Sequence, residues 1–309
     1  MPVAPGELMR PLPGVAYPSL LRGDTYAPQR SLIGAFIALS SWLVFGGLIG
    51  SVVLWLAWRI GYPQLGEIAF REAAQRFEYW PGMFAAHLQI AVMIPISVLM
   101  VRYWHRARPG LLWSVQGRPR WGYLGICLGV SMAVFGGYIA VTGWGGELTW
   151  QPQPGYVAFL VVTLLTAPVQ AAAEEFLFRG YLLQALGSLV ANPWFGVVTS
   201  ALLFALFHGT QNVPLFLSRF TFGLLVGWLV LHTGGLEAAI AAHVVNNVFA
   251  FTLAALTSTV ATSRTLTAVG WGQAFSGIIA YALIAGITAL IAVRTKLPNR
   301  TASDRVAAR

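Results

Sequence analysis

From Leu32 to Val293 long apolar runs alternate with short polar breaks. The first run ends near Trp58 and is longer than the roughly 20 helical residues that cross the hydrocarbon of a bilayer. The stretch from Ile60 to Trp80, with Arg59 just before it, mixes Glu67, Glu72 and Glu78 with Arg71 and Arg76 at helical spacings and ends in an aromatic pair, the pattern of a helix lying in the membrane interface. Apolar runs then recur from about Pro81 to Val101, Trp121 to Thr142, and from Tyr156 onward through a Glu-Glu pair. After Asn192-Pro193 come Phe195 to His208 and Val213 to Leu231; after Gly234-Gly235 come Leu236 to Leu256 and, past a polar loop, Gly272 to Val293. The pattern predicts an all-α, polytopic membrane protein of about eight transmembrane helices, with any site built inside the helix bundle.

Composition agrees and narrows the reading. A chain of 309 residues that is 57% hydrophobic and 9% charged, with mean hydropathy +0.69, is not a water-soluble globule. The net charge of +9 comes from basic residues at the edges of apolar runs, where they orient spans, so no nucleic-acid partner is implied. Arg102, Arg106, Arg108, Arg118 and Arg120 crowd one short loop, which is expected to be cytoplasmic, whereas the loop from Gly143 to Gly155 has no Lys or Arg and is expected outside. On this topology both termini are cytoplasmic; 13 of the 19 basic residues fall in cytoplasmic segments, four outside (Arg59, Arg71, Arg76, Arg264) and two within spans.

Three parts follow: a cytoplasmic tail over 1–30, read as disordered from its Pro and Gly content, a membrane domain over 31–295, and a cytoplasmic tail over 296–309. Cys127, the only cysteine, excludes an internal disulfide and a CxxC site. Trp80, Trp121, Trp150 and Trp271 read as an aromatic belt.

Chemistry concentrates where charge interrupts the apolar pattern. Glu174, Glu175 and Arg179 lie in a helix-favouring segment, and an ionisable group near the bilayer centre costs about 2.5–3.5 kcal/mol on insertion scales, so such groups mark function by default. Glu175 and Arg179 are four apart and can pair; Glu174 sits about 100° round and stays available. Later spans add Phe204 with His208, and His243 with Asn247, the latter two sharing a helix face. At about 1.5 Å per residue, all four polar groups can meet in the inner half of the membrane. A carboxylate kept from water holds protons more strongly and, beside a histidine, can deprotonate a water; Glu174 with His208 suits that role. An imidazole N–H and an Asn amide aimed at one point can stabilise an oxyanion, which suits His243 and Asn247.

The ordered pattern Glu-Glu-x3-Arg, Phe-x3-His, His-x3-Asn, with EEFLFRGYL and ALLFALFHG, resembles the CPBP family (CAAX protease and bacteriocin-processing, also called Abi) of intramembrane endopeptidases, which includes the Ras-converting CAAX endopeptidases. The resemblance covers about Thr163 to Phe251. It implies Glu174 and His208 as the water-activating pair, His243 and Asn247 as oxyanion stabilisers, and Glu175 with Arg179 as support, acting on a membrane-associated protein or peptide, lipidated or CAAX-like. The family has been described both as metalloproteases and as glutamate proteases. Two histidines and a glutamate (Glu174, His208, His243) suit zinc or another divalent metal, while Asn is a poor zinc ligand and a good oxyanion donor, which favours chemistry without a cofactor.

Other intramembrane mechanisms fail on residues. Asp24 and Asp304 are the only aspartates and lie outside the spans, HExxH is absent, and no GxSG motif occurs. The alternatives left are a non-catalytic immunity or scaffold protein of the same fold, and a proton-coupled transporter using Glu174 as carrier. Glu237 reads as a helix N-terminal charge and Arg219 as a snorkelling residue at the outer interface. His87, His105 and His232 show no sequence partner, and Asn246 is off the His243 face. Arginine is used almost to the exclusion of lysine, which points to a GC-rich bacterial genome and hence a bacterial plasma membrane, where prenylated substrates are not expected.

Overall fold

A computed structural model describes residues 8–23, 26–142 and 149–302. In chain order it contains α1 (Pro28–Gly61), α2 (Glu67–Gln75), α3 (Trp80–Trp104), α4 (Trp121–Thr142), α5 (Tyr156–Gly187), α6 (Trp194–Leu206), α7 (Val213–Thr233), α8 (Glu237–Leu256), α9 (Val260–Arg264) and α10 (Trp271–Arg294). All but α2, α6 and α9 are long and apolar enough to cross a membrane, which makes seven candidate spans among the described residues and an all-α integral membrane protein.

The eighth expected span is α6, and it is short. Its 13 residues rise about 20 Å, less than the roughly 30 Å of hydrocarbon. The helix stops because the chain turns at Gly209, whose φ of +76° is open to glycine at no steric cost. Asn212 then caps α7 through Leu215 N–H at 3.2 Å and donates to the Val269 carbonyl at 2.8 Å. His208 is thereby left at a helix end inside the bundle.

Helix α8 packs against α5 on one side and α4 on the other, α7 packs against α6 and α10, and α3 joins α1 to α5. Close approach rests on small residues, as is usual where lipid supplies no hydrophobic drive between helices. A Cβ on Gly223 would stand 2.9 Å from that of Ala201, and one on Gly82 would meet the Ala74 carbonyl at 1.7 Å, which presses α2 onto the start of α3. Helix α5 carries Pro168, which removes one backbone donor. It widens into a π-helix over Glu175–Leu182, a form often found at functional sites.

The two ends of the bundle differ. At one end the loop before α4, the loop between α7 and α8, and the described stretches before α1 and after α10 knit together: Val115 N–H donates to Gly234 O at 2.8 Å, and Val15 N–H to Thr301 Oγ1 at 3.0 Å. Here Arg120 is buried, donating to Glu237 through its backbone N–H at 3.0 Å, its Nε at 2.8 Å and its Nη2, and to the Thr233 carbonyl at 2.7 Å. Glu237 thus ties the start of α8 to the start of α4, a firmer role than a helix N-terminal charge. At the other end, Arg71 pairs with Glu67 at 2.8 Å on the amphipathic α2, which is shorter than the sequence pattern suggested, and Arg264 lies over the Phe77 ring at 5.4 Å.

The expectation of a disordered N-terminal tail is corrected over residues 8–23. Tyr17 and Leu20 have no exposed surface, Tyr17 donates its hydroxyl to the Leu112 carbonyl, and Arg22 Nε donates to Ser188 O at 2.7 Å. Burial pushes the Tyr17 hydroxyl pKa up. Pro and Gly suggested solvent, but a proline-started 3₁₀ turn, Tyr17–Ser19, presents an aromatic anchor to the core. Residues 1–7, Asp24, 143–148 of the expected outer loop, and the stretch from 303 to 309 with Asp304 lie outside the described residues.

The segment is therefore expected to stabilise the fold. Tyr17→Ala should cost on the order of 3–5 kcal/mol, the range for a large buried aromatic, and lower the midpoint of thermal unfolding in detergent; a free tail would leave that midpoint unchanged.

Candidate active site

Glu174 is the last residue of the regular part of α5, and Glu175 the first of its π segment. Glu175 has no exposed surface. Its Oε1 accepts from Arg179 Nη1 at 3.1 Å and from His243 Nδ1 at 2.7 Å, joining α5 to α8. Because Oε1 is an acceptor, Nδ1 of His243 carries the proton and Nε2 is turned elsewhere. It lies 3.8 Å from Glu174 Oε2. The expected Glu175–Arg179 pair is present, with a second partner the sequence did not suggest. Arg179 is fully buried, with its guanidinium 4.0 Å above the Phe204 ring centroid and 5.4 Å from that of Phe222. The two rings supply a π face where a second carboxylate is missing.

Glu174 is held from the other side by a residue that sequence reasoning passed over. Gln170, one turn earlier and 4% exposed, donates its amide to Glu174 Oε1 and accepts from Asn247 Nδ2 at 2.8 Å. Asn247 Oδ1 in turn accepts from Asn246 Nδ2 at 2.9 Å. The signal was a lone amide four residues before Glu174 in an apolar run, where one helix face brings them together.

These groups line a cavity of about 400 Å³ that holds Gln170, Glu174, His208, His243 and Asn247. A volume of this size suits a ligand or a peptide segment. An adjoining space of about 360 Å³ shares His208, His243 and Asn247 and adds Asn246 and Tyr281. His208 is exposed to the cavity; its Nδ1 donates to the Phe204 carbonyl at 2.7 Å, which leaves Nε2 free of that bond, and its ring meets Phe204 edge-on at 4.5 Å. Among the described residues no hydrogen bond or ion pair joins Glu174 to His208; they share the cavity.

Several residues set aside on sequence grounds have partners. Arg219 is half-buried, lines both cavities and donates Nη1 to Gln211 Oε1 at 2.9 Å, contacts that its reading as a snorkelling residue did not include. His87 lines the larger cavity with its Nδ1 2.6 Å from Thr166 Oγ1. His105 Nε2 lies 3.1 Å from the Tyr181 hydroxyl, and His232 stacks on Trp228 at 5.2 Å. None of these pairings is visible in sequence, because each joins residues on separate helices or depends on rotamer.

The candidate metal ligands Glu174, His208 and His243 line one cavity, with His243 Nε2 3.8 Å from Glu174 Oε2. Among the described residues no three His, Cys, Asp or Glu side chains gather so as to hold a metal ion, and both histidines commit Nδ1 to protein acceptors.

Comparison with known proteins bears on this segment. Residues 154–249 match the family model described as Rce1-like, type II CAAX prenyl endopeptidase Rce1-like. The match covers the stretch from the start of α5 to just past Asn247 and supports the CPBP resemblance. An "Uncharacterized protein YyaK" of Bacillus subtilis (strain 168) is 34% identical over 100 residues, which is 30% of this chain and 33% of that protein. The chain thus aligns with about a third of that curated relative's length. No solved structure matches.

The Glu175 contacts make a stability test. Glu175→Leu leaves Arg179 buried without a carboxylate and should cost about 3–5 kcal/mol. The double variant Glu175→Leu, Arg179→Met should recover part of that loss in detergent thermal melts; a double variant as unstable as the sum of the singles would contradict the pairing.

Proposed function

We propose that the protein is an intramembrane endopeptidase of the CAAX-protease type, hydrolysing a peptide bond of a membrane-associated protein or peptide. The observation that carries the reading is the placement of Glu174 between Gln170 and His243 at the wall of a cavity that also holds His208 and Asn247. The family match over the same residues supports it.

In this mechanism Glu174, assisted by Nε2 of His208, takes a proton from a water whose oxygen attacks the scissile carbonyl carbon. The oxyanion is met by the Asn247 amide N–H that is not given to Gln170, and by a protonated Nε2 of His243, whose charge the Glu175 carboxylate supports through Nδ1. The proton taken up by Glu174 passes to the amide nitrogen, the C–N bond breaks, and a carboxylate and an amine leave. No step uses a metal. We place the protein in a bacterial plasma membrane with both termini cytoplasmic, from the arginine-rich loop before α4 and the end of α10.

The test needs no guess about substrate: compare membrane-proteome N- and C-termini from cells carrying wild type and Glu174→Ala at equal expression. Termini found only with wild type are expected; matched termini with both proteins folded would favour a non-catalytic scaffold. With a substrate in hand, Asn247→Ala should lower kcat on the order of 10²–10³-fold, as for loss of an oxyanion donor. Gln170→Ala should lower kcat and also cost about 1–3 kcal/mol of stability, because buried Glu174 and Asn247 each lose a partner. Cleavage should persist after exhaustive chelation, and loss that is restored by zinc would sink the metal-free step.

A further inference from the structure

Every loop residue that lines the larger cavity comes from one end of the bundle. Phe77 follows α2, and Ser263, Arg264 and Leu266 lie at the end of α9 and just beyond; Ser263 and Arg264 are exposed. Among the described residues no lining residue comes from the opposite end, which comprises the chain before α1, the loops before α4 and α6, the α7–α8 turn and the chain after α10. His243 stands six residues into α8 from that opposite end, about 9 Å deep. The cavity therefore has its floor near one end of the bundle and its mouth at the other.

The floor end is closed by protein. The buried Arg120–Glu237 pair, the Val115–Gly234 hydrogen bond at 2.8 Å, the Tyr17–Leu112 bond and the Gln184 Nε2 donation to Leu111 O at 2.9 Å span it. The same end carries the arginines of the loop before α4, with Arg294, Lys296 and Arg300, and Glu237 is the one acid among its described residues. Among the described residues the mouth end is close to balanced, with Arg59, Arg71, Arg76 and Arg264 against Glu67, Glu72 and Glu78. Short loops rich in Lys and Arg stay in the cytoplasm.

From the position of the mouth and this charge asymmetry we infer that the cavity opens away from the cytoplasm. Its substrates are then peptide segments presented at the extracytoplasmic leaflet, such as the membrane-proximal stretch of an exported or membrane-anchored protein. A lipidated tail held at the cytoplasmic surface would face the closed end. The substrate clause rests on the peptidase reading; the direction of opening rests only on the mouth residues and the charges.

The two can be tested apart. Cys127, the only cysteine, is buried, and Cys127→Ala gives a background for single reporters at the mouth (Ser263→Cys) and at the exposed Gln116 of the closed end (Gln116→Cys). In spheroplasts a membrane-impermeant maleimide should label Ser263→Cys, and should label Gln116→Cys only after the membrane is broken. The reverse pattern, labelling of both in intact spheroplasts, or of neither, would overturn the inference. Should a cysteine variant fail to accumulate, green fluorescent protein fused after Arg309 of the wild-type chain gives a second reading. Fluorescence places the closed end in the cytoplasm, and its loss with full-length protein present overturns the inference. If labelling is as expected and no wild-type-specific termini appear, the orientation stands and the peptidase reading falls.

Discussion

A carboxylate with no exposed surface sets the arrangement of this bundle. Glu175 accepts from Arg179 along its own helix and from His243 across to the next, so one side chain fixes both the register between α5 and α8 and the rotation of the imidazole. In hydrocarbon an unpaired carboxylate or guanidinium is costly, so the alternatives in which these groups separate are disfavoured strongly. The constraint propagates: with Nδ1 committed, Nε2 of His243 faces Glu174, whose other oxygen is taken by Gln170, and Gln170 in turn holds Asn247. What faces the cavity is thus decided by what lies behind it.

The same logic separates the two glutamates. They are adjacent in sequence and differ by about 100° around the helix, which puts one against Arg179 and the other at the cavity wall. The π segment begins at Glu175, so the helix is widened where the side chains must diverge. The short α6 has a matching effect, because its early end leaves His208 exposed to the cavity with its Nδ1 tied back to Phe204.

Much of the fold was legible in sequence, since span length, hydropathy and breaks at Asn192-Pro193 and Gly234-Gly235 are properties of single segments. The shortness of α6 was less so: Phe207 and His208 continue the apolar pattern, and only the positive φ at Gly209 shows where the helix gives out. The packed N-terminal stretch was hidden because composition reports Pro and Gly but not that Tyr17 and Tyr26 each find a carbonyl on another loop. Within the site, spacing alone gave the Glu175–Arg179 pair, since both lie on one helix. The His243–Glu175 bond, the Gln170 bridge and the turn of Arg219 into the cavity depend on how separate helices meet, and no local pattern encodes that.

The most direct test is the protonation of the His243 ring, read by heteronuclear NMR of the histidine ring nitrogens in lipid, with the His243 signals identified by their loss in His243→Gln. The account predicts a proton on Nδ1 in a strong hydrogen bond that weakens in Glu175→Gln. A ring whose only proton sits on Nε2, or one unaffected by the change at position 175, would contradict it.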